Sequence, residues 1–503
     1  MNAESFNLYD LLERNARIYR DRNALIQGDR IRSHGELLER VNALAAGLED
    51  LQLEPGARVC ILAQNDAAYL ELYGACARQG LAAYPINWRL SAEEVARVLT
   101  RARPAVMVVD AACADLAHPG TANGASGAIS HWLSMGTQPV EGMPSLEALY
   151  LNTPPKGRPV VEAQDPFVVI STAAVDAIPR GAILSHGNII AGNMQSMYML
   201  GLGPDDVNLV ALPLFHIAAL GMTLATLHAG GCNVVMPRYD AAEAVRLIGQ
   251  HNITHISDFP PVLENLLNAA KEAGAGLGSL RHVSGLENPA TIERLEQETS
   301  ARFWTGFGQS ETSGFVTLQR YADKPGAAGL PGPLAEVRVM DATGNEVPQG
   351  DEGEIVVRGP CVFKGYFDQP EVTAHTLRGG WHHTGDVGRF DEAGYLIYVR
   401  RMPEKELIKS GGENVYPAEV EAVIAELAAV QGVCVFGVPD AQWGEAVRAV
   451  VEGVGLEERD VISHVEGRIA RFKRPRVVRF TDALPRNEGG EVDREEVKKR
   501  WSD

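Results

Sequence analysis

Three features follow one another between Trp381 and Glu421, and their residue types are those of a ligand site. The turn Trp-His-His-Thr-Gly-Asp ends at Asp386, and an ionised aspartate suits two sugar hydroxyls because it accepts two hydrogen bonds on a short, rigid side chain. The loop Gly-Gly-Glu-Asn at 411–414 has paired glycines, which let the backbone approach a ligand closely or adopt positive φ. Between them, the stretch RRMPEKE at 400–406 is charged and contains a proline, which predicts a linker. The pattern therefore predicts a nucleotide-like site and a backbone-lined loop that are joined by a hinge.

Three further stretches have the residue types of a site, although each also fits a plainer interpretation. Residues 303–312 read FWTGFGQSET, which taken alone is a glycine-rich turn with a solvated glutamate at Glu311. His216 stands in the apolar stretch LPLFHIAALG, where a single histidine is usually a core residue with a satisfied hydrogen bond. The strand-like PFVVIST at 166–172, with the residues after it, fits an ordinary strand, turn and helix.

Taken together, these motifs resemble the acyl-adenylate-forming superfamily, the AMP-binding acyl-CoA synthetases and ligases. The Thr-Gly-Asp turn, an arginine-containing hinge and the Gly-Gly-Glu-Asn loop match that family in order and spacing, apart from about two extra residues at Met402 and Pro403. The other motifs extend the resemblance over nearly the whole chain. Within the family, the sequence resembles long-chain or medium-chain fatty-acid–CoA ligases.

The resemblance implies ATP, Mg²⁺ and CoA as cofactors or co-substrates. It places Asp386 on the ribose hydroxyls with Arg401 assisting, and it places Glu311 on magnesium, which prefers hard carboxylate oxygen together with substrate phosphate. It also places His216 at the mouth of an acyl pocket. The implied ATP- or AMP-binding residues are Thr172, Gly306, Phe307, Gly308, Ser310, Asp386 and Arg401; the implied CoA-binding residues are Gly411, Gly412, Glu413 and Asn414; and the implied catalytic residues are Arg180, His216, Glu311 and Lys409.

The sequence departs from the family's pattern at two places that handle phosphate. Residues 173–177, AAVDA, replace the hydroxyl and glycine residues of the family's phosphate loop, and Arg180 replaces its lysine. Near the C-terminus, Glu491 replaces the lysine that bridges carboxylate and phosphate. The attacking carboxylate and the α-phosphate repel each other, so adenylation needs positive charge where they meet. We expect Arg180 with Lys409 or Lys405 to supply that charge.

Three functions fit these observations. The first, which we favour, is an ATP-dependent carboxylic acid–CoA ligase that forms an acyl-AMP and then a CoA thioester of an apolar fatty, alicyclic or aromatic acid. The second is a pseudoenzyme that binds nucleotide or acyl ligands but adenylates poorly. The third is an adenylation enzyme that loads a carrier protein. The first is favoured because Asp386, Glu311 and the loop 411–414 are all retained.

Composition limits the partners and the compartment. A net charge of −19 and a pI near 5.2 argue against nonspecific nucleic-acid binding and against an anionic membrane surface. The six cysteines show no CxxC spacing, so they indicate neither a zinc site nor a disulfide framework. The N-terminal stretch has neither a basic region nor an apolar core, so no signal peptide is expected. We therefore expect a cytoplasmic enzyme that acts on small molecules. A homodimer is a separate expectation that does not follow from the composition.

The order of the predicted elements indicates an α/β protein of more than one domain, as its 503 residues require. Alternating strand and helix patterns predict parallel-rich sheets covered by helices, and alternation after residue 327 predicts a small β-subdomain. The predicted divisions are an N-terminal adenylate-forming domain at 1–400 with the β-subdomain at about 327–400, a hinge at 401–406, and a small, mobile α+β C-terminal lid domain at 407–503.

Three local expectations can be compared directly with the structure. Residues 210–227 carry no formal charge over a length at the lower limit for a membrane span. Pro213 and the lack of flanking basic residues instead favour a strand, a turn and a buried helix. Residues 115–160, rich in Gly, Ala, Ser and Pro, predict a surface connection with one helix at most. A helix is expected over residues 417–430.

Overall fold

The computed structural model of the chain describes residues 6–118, 129–153, 155–172, 180–402, 406–440, 443–487 and 490–502. The described residues form a large N-terminal domain with two helix-covered sheets and a small antiparallel sheet, followed by a small α+β C-terminal domain. The prediction of an α/β fold with parallel-rich sheets is confirmed. The boundaries predicted at 400 and 407 stay predictions, and residues 403–405 of the predicted hinge lie outside the described residues.

One sheet of the large domain has seven strands in the described part of the chain. Its centre is parallel, because helices connect successive strands and cover the faces of the sheet. The central strands are mostly apolar and buried, as expected for a sheet that is covered on both faces. In spatial order they are Gly365–Tyr366, Arg180–Ser185, Pro166–Thr172, Ala82–Pro85, Arg58–Leu62, Val106–Asp110 and His131–Met135.

The second sheet has nine strands among the described residues, and six neighbouring strands in it run parallel. In spatial order the strands are Leu330–Pro331, Gly314–Arg320, Arg302–Gln309, His282–Gly285, His255–Asp258, Val207–Val210, Cys232–Val235, Asn23–Gln27 and Arg30–Ser33. The helices of the large domain are Leu8–Ile18, His34–Asp50, Ala67–Gln79, Ala92–Ala102, His186–Leu200, Ile217–Ala229, Ala241–His251, Val262–Ala273, Pro289–Glu298 and Pro370–Thr376.

Two smaller sheets complete the described structure. The antiparallel sheet of the large domain consists of Glu336–Met340, Gly353–Arg358, His382–Phe390 and Leu396–Arg401. The small domain has a sheet with Glu413–Val415, Ile408–Ser410, Gly444–Gly453 and Val430–Asp440, and Val477–Thr481 pairs with Gly444–Gly453. Its helices are Pro417–Ile424, Glu458–Glu466 and Arg494–Trp501. The site-bearing turn at Asp386 and the loop 411–414 thus belong to different domains.

The structure corrects two of the local expectations and confirms the third. The helix expected over 417–430 ends at Ile424, because Val430 already begins a strand of the small domain. The connection expected over 115–160 contains the strand His131–Met135, which pairs parallel with Val106–Asp110. Residues 210–227 form the end of a strand, a turn and the helix Ile217–Ala229, as expected. Over the described ranges, no helix combines the length and the apolar character that a membrane span requires.

Candidate functional site

A cavity of about 2250 Å³ lies between the large and the small domain. Its wall is built from the ends of strands in several sheets, from the start of the helix Ile217–Ala229 and from the loop 411–414. Every site residue predicted from the sequence except Glu491 contributes to this wall. These residues are Thr172, Arg180, His216, Gly306, Phe307, Gly308, Ser310, Glu311, Asp386, Arg401, Lys409, Gly411, Gly412, Glu413 and Asn414.

Asp386 is fully buried at the middle of the strand His382–Phe390, and its carboxylate is held from two sides. Arg401 donates to one carboxylate oxygen at 2.9 Å, and Gln309 donates to the other at 2.6 Å. Gln309 also accepts a 2.9 Å contact from the ring of His382, so it ties two motifs together. The carboxylate is therefore fixed in place before any ligand arrives, which suits an acceptor for hydroxyl groups.

Gln309 and a second aromatic residue, Tyr398, also line the cavity near Asp386, and neither was predicted as a site residue from the sequence. Tyr398 lies nearly parallel to Phe307, with ring centroids 6.5 Å apart, and both line the cavity. The Tyr398 hydroxyl lies 3.5 Å from Asp386. Burial, followed by the charge of Asp386, raises the pKa of Tyr398 to about 12, so its hydroxyl stays protonated. The only sequence signal for Tyr398 was its place in a strand-like run, which does not indicate a ligand contact.

Glu311 combines a buried carboxylate with nearby positive charge. It accepts a 2.8 Å hydrogen bond from the hydroxyl of Tyr366, and the guanidinium of Arg180 lies 5.3 Å from the centre of the Tyr366 ring. Within the described ranges, no group of three or more His, Cys, Asp or Glu side chains could enclose a metal ion. A single carboxylate fits Mg²⁺, which keeps several waters and takes its remaining ligands from substrate phosphates.

Lys409 brings a second cation to the same part of the cavity. Its side chain is accessible and lines the interdomain cavity. Loss of hydration between the two domains, and then the positive charge of Arg401, lowers the pKa of Lys409; Asp386 and Glu445 oppose that shift. Arg401 and Asp386 therefore act electrostatically on Lys409, and all three line the cavity.

The loop 411–414 enters the cavity from the small domain. Gly411 and Gly412 have φ of 61° and 80°, which favour glycine, and a Cβ at Gly411 would lie 2.7 Å from the ring of Trp443. Glu413 is buried and accepts hydrogen bonds from Arg89 at 2.6 Å and Asn87 at 2.9 Å, both in the large domain. The loop is thus anchored across the domain interface.

His216 is the last residue before the helix Ile217–Ala229, at the apolar end of the cavity. Its Nε2 atom lies 3.5 Å from a carboxylate oxygen of Glu413, and its ring packs against Phe215 at a centroid distance of 4.6 Å. Burial alone would raise the pKa of Glu413, but His216, Arg89 and Asn87 outweigh it and lower the pKa to about 2. Glu413 is therefore an anion of the small domain that is held by large-domain residues at the cavity.

Of the two segments that diverge from the family's pattern, 173–177 and the loop at Glu491, the structure describes only the second at its divergent residue. Residues 173–179 of the phosphate loop fall outside the described residues, and Thr172 and Arg180, which pair with each other, are the strand residues on either side of them. Glu491 is exposed, and its backbone N–H donates to the Asn487 side chain at 3.0 Å. Of the described residues that line the cavity, none belongs to this terminal loop. In this arrangement of the domains, Glu491 is not a site residue.

Comparison with known proteins identifies the family. The profile of the family described as "AMP-binding enzyme" matches residues 12–367, and that of the "AMP-binding enzyme C-terminal domain" matches residues 419–491. The chain is 34% identical to feruloyl-CoA synthase of an Amycolatopsis species, over 97% of this chain and 98% of that protein. It is also 34% identical to indoleacetate–CoA ligase of Aromatoleum aromaticum, over 98% of this chain and 97% of that protein.

Two solved structures of one relative match this chain to different degrees. o-Succinylbenzoate CoA synthetase of Bacillus subtilis, as a double mutant bound to its product analogue, matches with a TM-score of 0.84 at 25% identity, over 97% of this chain and 98% of that chain. The same enzyme in complex with the acyl-adenylate intermediate gives 0.70 at 26% identity, over 97% of both chains. The structure of this chain therefore superposes better on the product-analogue complex than on the acyl-adenylate complex. The matched profiles cover most of the sequence, and the chain belongs to the AMP-binding enzyme family, whose AMP-forming CoA ligases use ATP, Mg²⁺ and CoA.

Proposed function

We propose that this protein is an ATP-dependent carboxylic acid–CoA ligase that acts on an apolar fatty, alicyclic or aromatic acid. One observation carries the proposal: Asp386, Glu311 and Phe307 of the large domain face the same cavity as the loop 411–414 of the small domain. A nucleotide site and a thiol path that share one cavity are what a two-step ligase needs, because the acyl group is activated and transferred without leaving the protein.

In the first step, a carboxylate oxygen of the acid attacks the α-phosphorus of ATP. A new P–O bond forms, the bond to the bridging oxygen breaks, and pyrophosphate leaves with the electron pair. Asp386 holds the ribose, Phe307 and Tyr398 hold the base, and Arg180 of the large domain offsets the negative charge at the phosphate. Mg²⁺ on Glu311, when bound, supplies further positive charge to the phosphates.

In the second step, the sulfur of CoA attacks the acyl carbonyl carbon of the acyl-AMP. The C–S bond forms, the C–O bond to the phosphate breaks, AMP leaves with the electron pair, and the thiol proton passes to solvent. The loop 411–414 lines the path of the pantetheine arm, and glycine at 411 and 412 keeps that path open at the backbone. His216 lies where the acyl group and the thiol meet.

The choice of acid rests on the apolar end of the cavity and on the relatives. Ile217, Met222 and Phe315 line the cavity on the His216 side, and such walls favour an apolar acyl group over a polar one. The relatives named above are ligases of aromatic acids, so aromatic acids come first in a substrate panel. Pyrophosphate exchange with ATP across that panel, followed by AMP and thioester formation when CoA is added, tests both steps. Background exchange with every acid would reject the ligase and favour the pseudoenzyme. Exchange without transfer to CoA would favour a carrier-protein acceptor.

Replacing Glu491 with lysine is expected to change the rate of pyrophosphate exchange little. Its loop lies outside the cavity in this arrangement, and we propose that Arg180 of the large domain already provides positive charge for this step. Exchange measured with the wild type and with Glu491→Lys checks this. A rise of about 10²- to 10³-fold, the usual value of one well-placed electrostatic contact, would mean that the terminal loop reaches the phosphate and that Glu491 opposes the reaction.

Limited proteolysis is expected to cut the protein between Arg400 and Glu406. The small domain must rotate if loop 411–414 and the terminal loop serve different steps, and a charged, proline-containing link is the place for that movement. Mass spectrometry of the first fragments locates the cut, and an acyl-AMP analogue should slow it. First cuts elsewhere, with 400–406 intact, would argue against a hinge there. The cytoplasmic location and the homodimer expected from the sequence stay predictions.

A further inference from the structure

A buried lysine joins the two domains at a distance from the reacting groups. Lys473 is only 4% exposed. Its ammonium donates to Glu94 of the large domain at 2.5 Å and to Glu419 of the small domain at 2.7 Å. Both carboxylates are buried as well. We call Glu94, Lys473 and Glu419 the interdomain ion cluster.

Glu94 receives more than the lysine from the small domain. The backbone N–H of Ala470 donates to its second carboxylate oxygen at 2.9 Å. The same oxygen accepts from the N–H of Ser91 at 2.7 Å, which caps the helix Ala92–Ala102. The side chain of Ala470 is buried among large-domain residues that include Val95. The segment 470–473 of the small domain is therefore docked on the first turn of this helix by apolar and by charged contacts.

The cluster is complete only when the domains are arranged as described. Burial raises the pKa of Glu419, and the neighbouring ammonium of Lys473 opposes that shift. If the small domain rotated away, Glu94 would lose both Lys473 and the Ala470 N–H. These hydrogen bonds and the apolar contacts of Ala470 are made only in the docked orientation, so they favour it over an orientation in which the small domain has rotated away.

The docked orientation is also the one that places the loop 411–414 in the cavity. The strand Glu413–Val415 leads directly into the helix Pro417–Ile424, which carries Glu419. Glu419 of the cluster and the loop 411–414 thus lie at two ends of one short segment. Glu413 contacts Arg89, which precedes the helix Ala92–Ala102, so both ends of that segment are held by the same part of the large domain.

We infer that Glu94 and Lys473 are positioning residues for the thioester step: they hold the small domain so that the loop 411–414 lies in the cavity. The inference rests on the proposed ligase function. Neither residue touches the reacting atoms, and both act through the loop. Weakening the cluster therefore slows the transfer of the acyl group to CoA and leaves acyl-AMP formation intact, because adenylation does not require the loop in this place.

The test uses Glu94→Gln in the full-length protein, which keeps the shape and the helix cap but removes the charge. We expect acyl transfer from a preformed acyl-AMP to CoA to fall by about 10- to 100-fold, while pyrophosphate exchange stays within about twofold. Lys473→Met should show the same split. Glu93→Gln is the matched control, because Glu93 is the exposed neighbour on the same helix, where it pairs with Arg97; it should behave like the wild type.

A distance measurement checks the orientation without any chemistry. Spin labels at Val160→Cys and Val454→Cys would report on the large and the small domain, since both positions are exposed and the six native cysteines are buried. The wild type should show one main distance, and Glu94→Gln should add a second population. Unchanged distances with unchanged transfer, or an equal loss of both half-reactions, would overturn the inference. If the wild type catalysed neither half-reaction, the proposed function would fail, and the distances alone would decide whether the cluster sets the orientation.

Discussion

Replacing Lys409 with alanine is expected to lower the rate of acyl-CoA formation by about 10²- to 10³-fold, because one preorganised charge at a reacting group has that effect. Negative charge develops on the phosphate when the thiol displaces AMP, the step in which the docked small domain places Lys409 in the cavity. Lys409 lines the cavity beside Arg401 and Asp386, and the family's terminal lysine is replaced here by Glu491. The melting temperature should stay the same, since the Lys409 side chain faces the cavity and is not packed in a core.

The control for Lys409 is Lys271→Ala, on the exposed end of the helix Val262–Ala273, which should have wild-type activity. Lys409→Arg should retain more activity than alanine, because it keeps the charge. The pKa of Lys409 is lowered, so the residue loses its proton at a lower pH than a free lysine does. As the pH is raised, the wild-type rate should therefore begin to fall at a lower pH than the titration of a free lysine would give. A change of less than about twofold in Lys409→Ala would remove the residue from the reaction.

The residues that short motifs predicted for the site line one cavity, but the residues that support them there were not predicted. Asp386 and Phe307 were predictable because each lies in a short motif with unusual residue types. Gln309 and Tyr398 were not, because their roles depend on which strands pair in the folded chain. Tyr398 contacts Asp386 only because the strands His382–Phe390 and Leu396–Arg401 are antiparallel neighbours, and nothing in its local sequence distinguishes it from a packing residue.

The alternation of strand and helix predicted the parallel sheets, since each unit carries its own periodic signal. The strand His131–Met135 was missed because it is short and lies among Gly, Ala and Ser residues, and only its neighbour Val106–Asp110 makes it a strand. Glu413 shows a different limit. The sequence placed it in a loop along the CoA path, but its contacts with Arg89 and Asn87 exist in one orientation of the small domain, and a local motif does not specify an orientation.

Replacing Asp386 with asparagine is expected to weaken AMP binding by about 10- to 150-fold, because a hydrogen bond to a charged group contributes about 1.5 to 3 kcal/mol. The ionised carboxylate accepts from two hydroxyls of the ribose, whereas an amide offers one oxygen and places an N–H against the other hydroxyl. The substitution also removes the charge that faces Arg401, so a moderate fall in melting temperature is expected as well. Calorimetric titration with AMP measures the affinity directly and requires no turnover.

Two matched variants separate the loss of a ligand contact from a general weakening of the small antiparallel sheet. Asp391→Asn changes an aspartate just beyond the end of the same strand, where it pairs with Lys324 and accepts from the Ala393 N–H at 2.9 Å. It should lower the melting temperature without changing AMP affinity. Arg401→Met removes the partner of Asp386 but keeps its carboxylate, so AMP should lose less affinity than in Asp386→Asn if the carboxylate itself holds the ribose. Equal AMP affinity in the wild type and Asp386→Asn, with the fold intact, would show that the ribose is bound elsewhere.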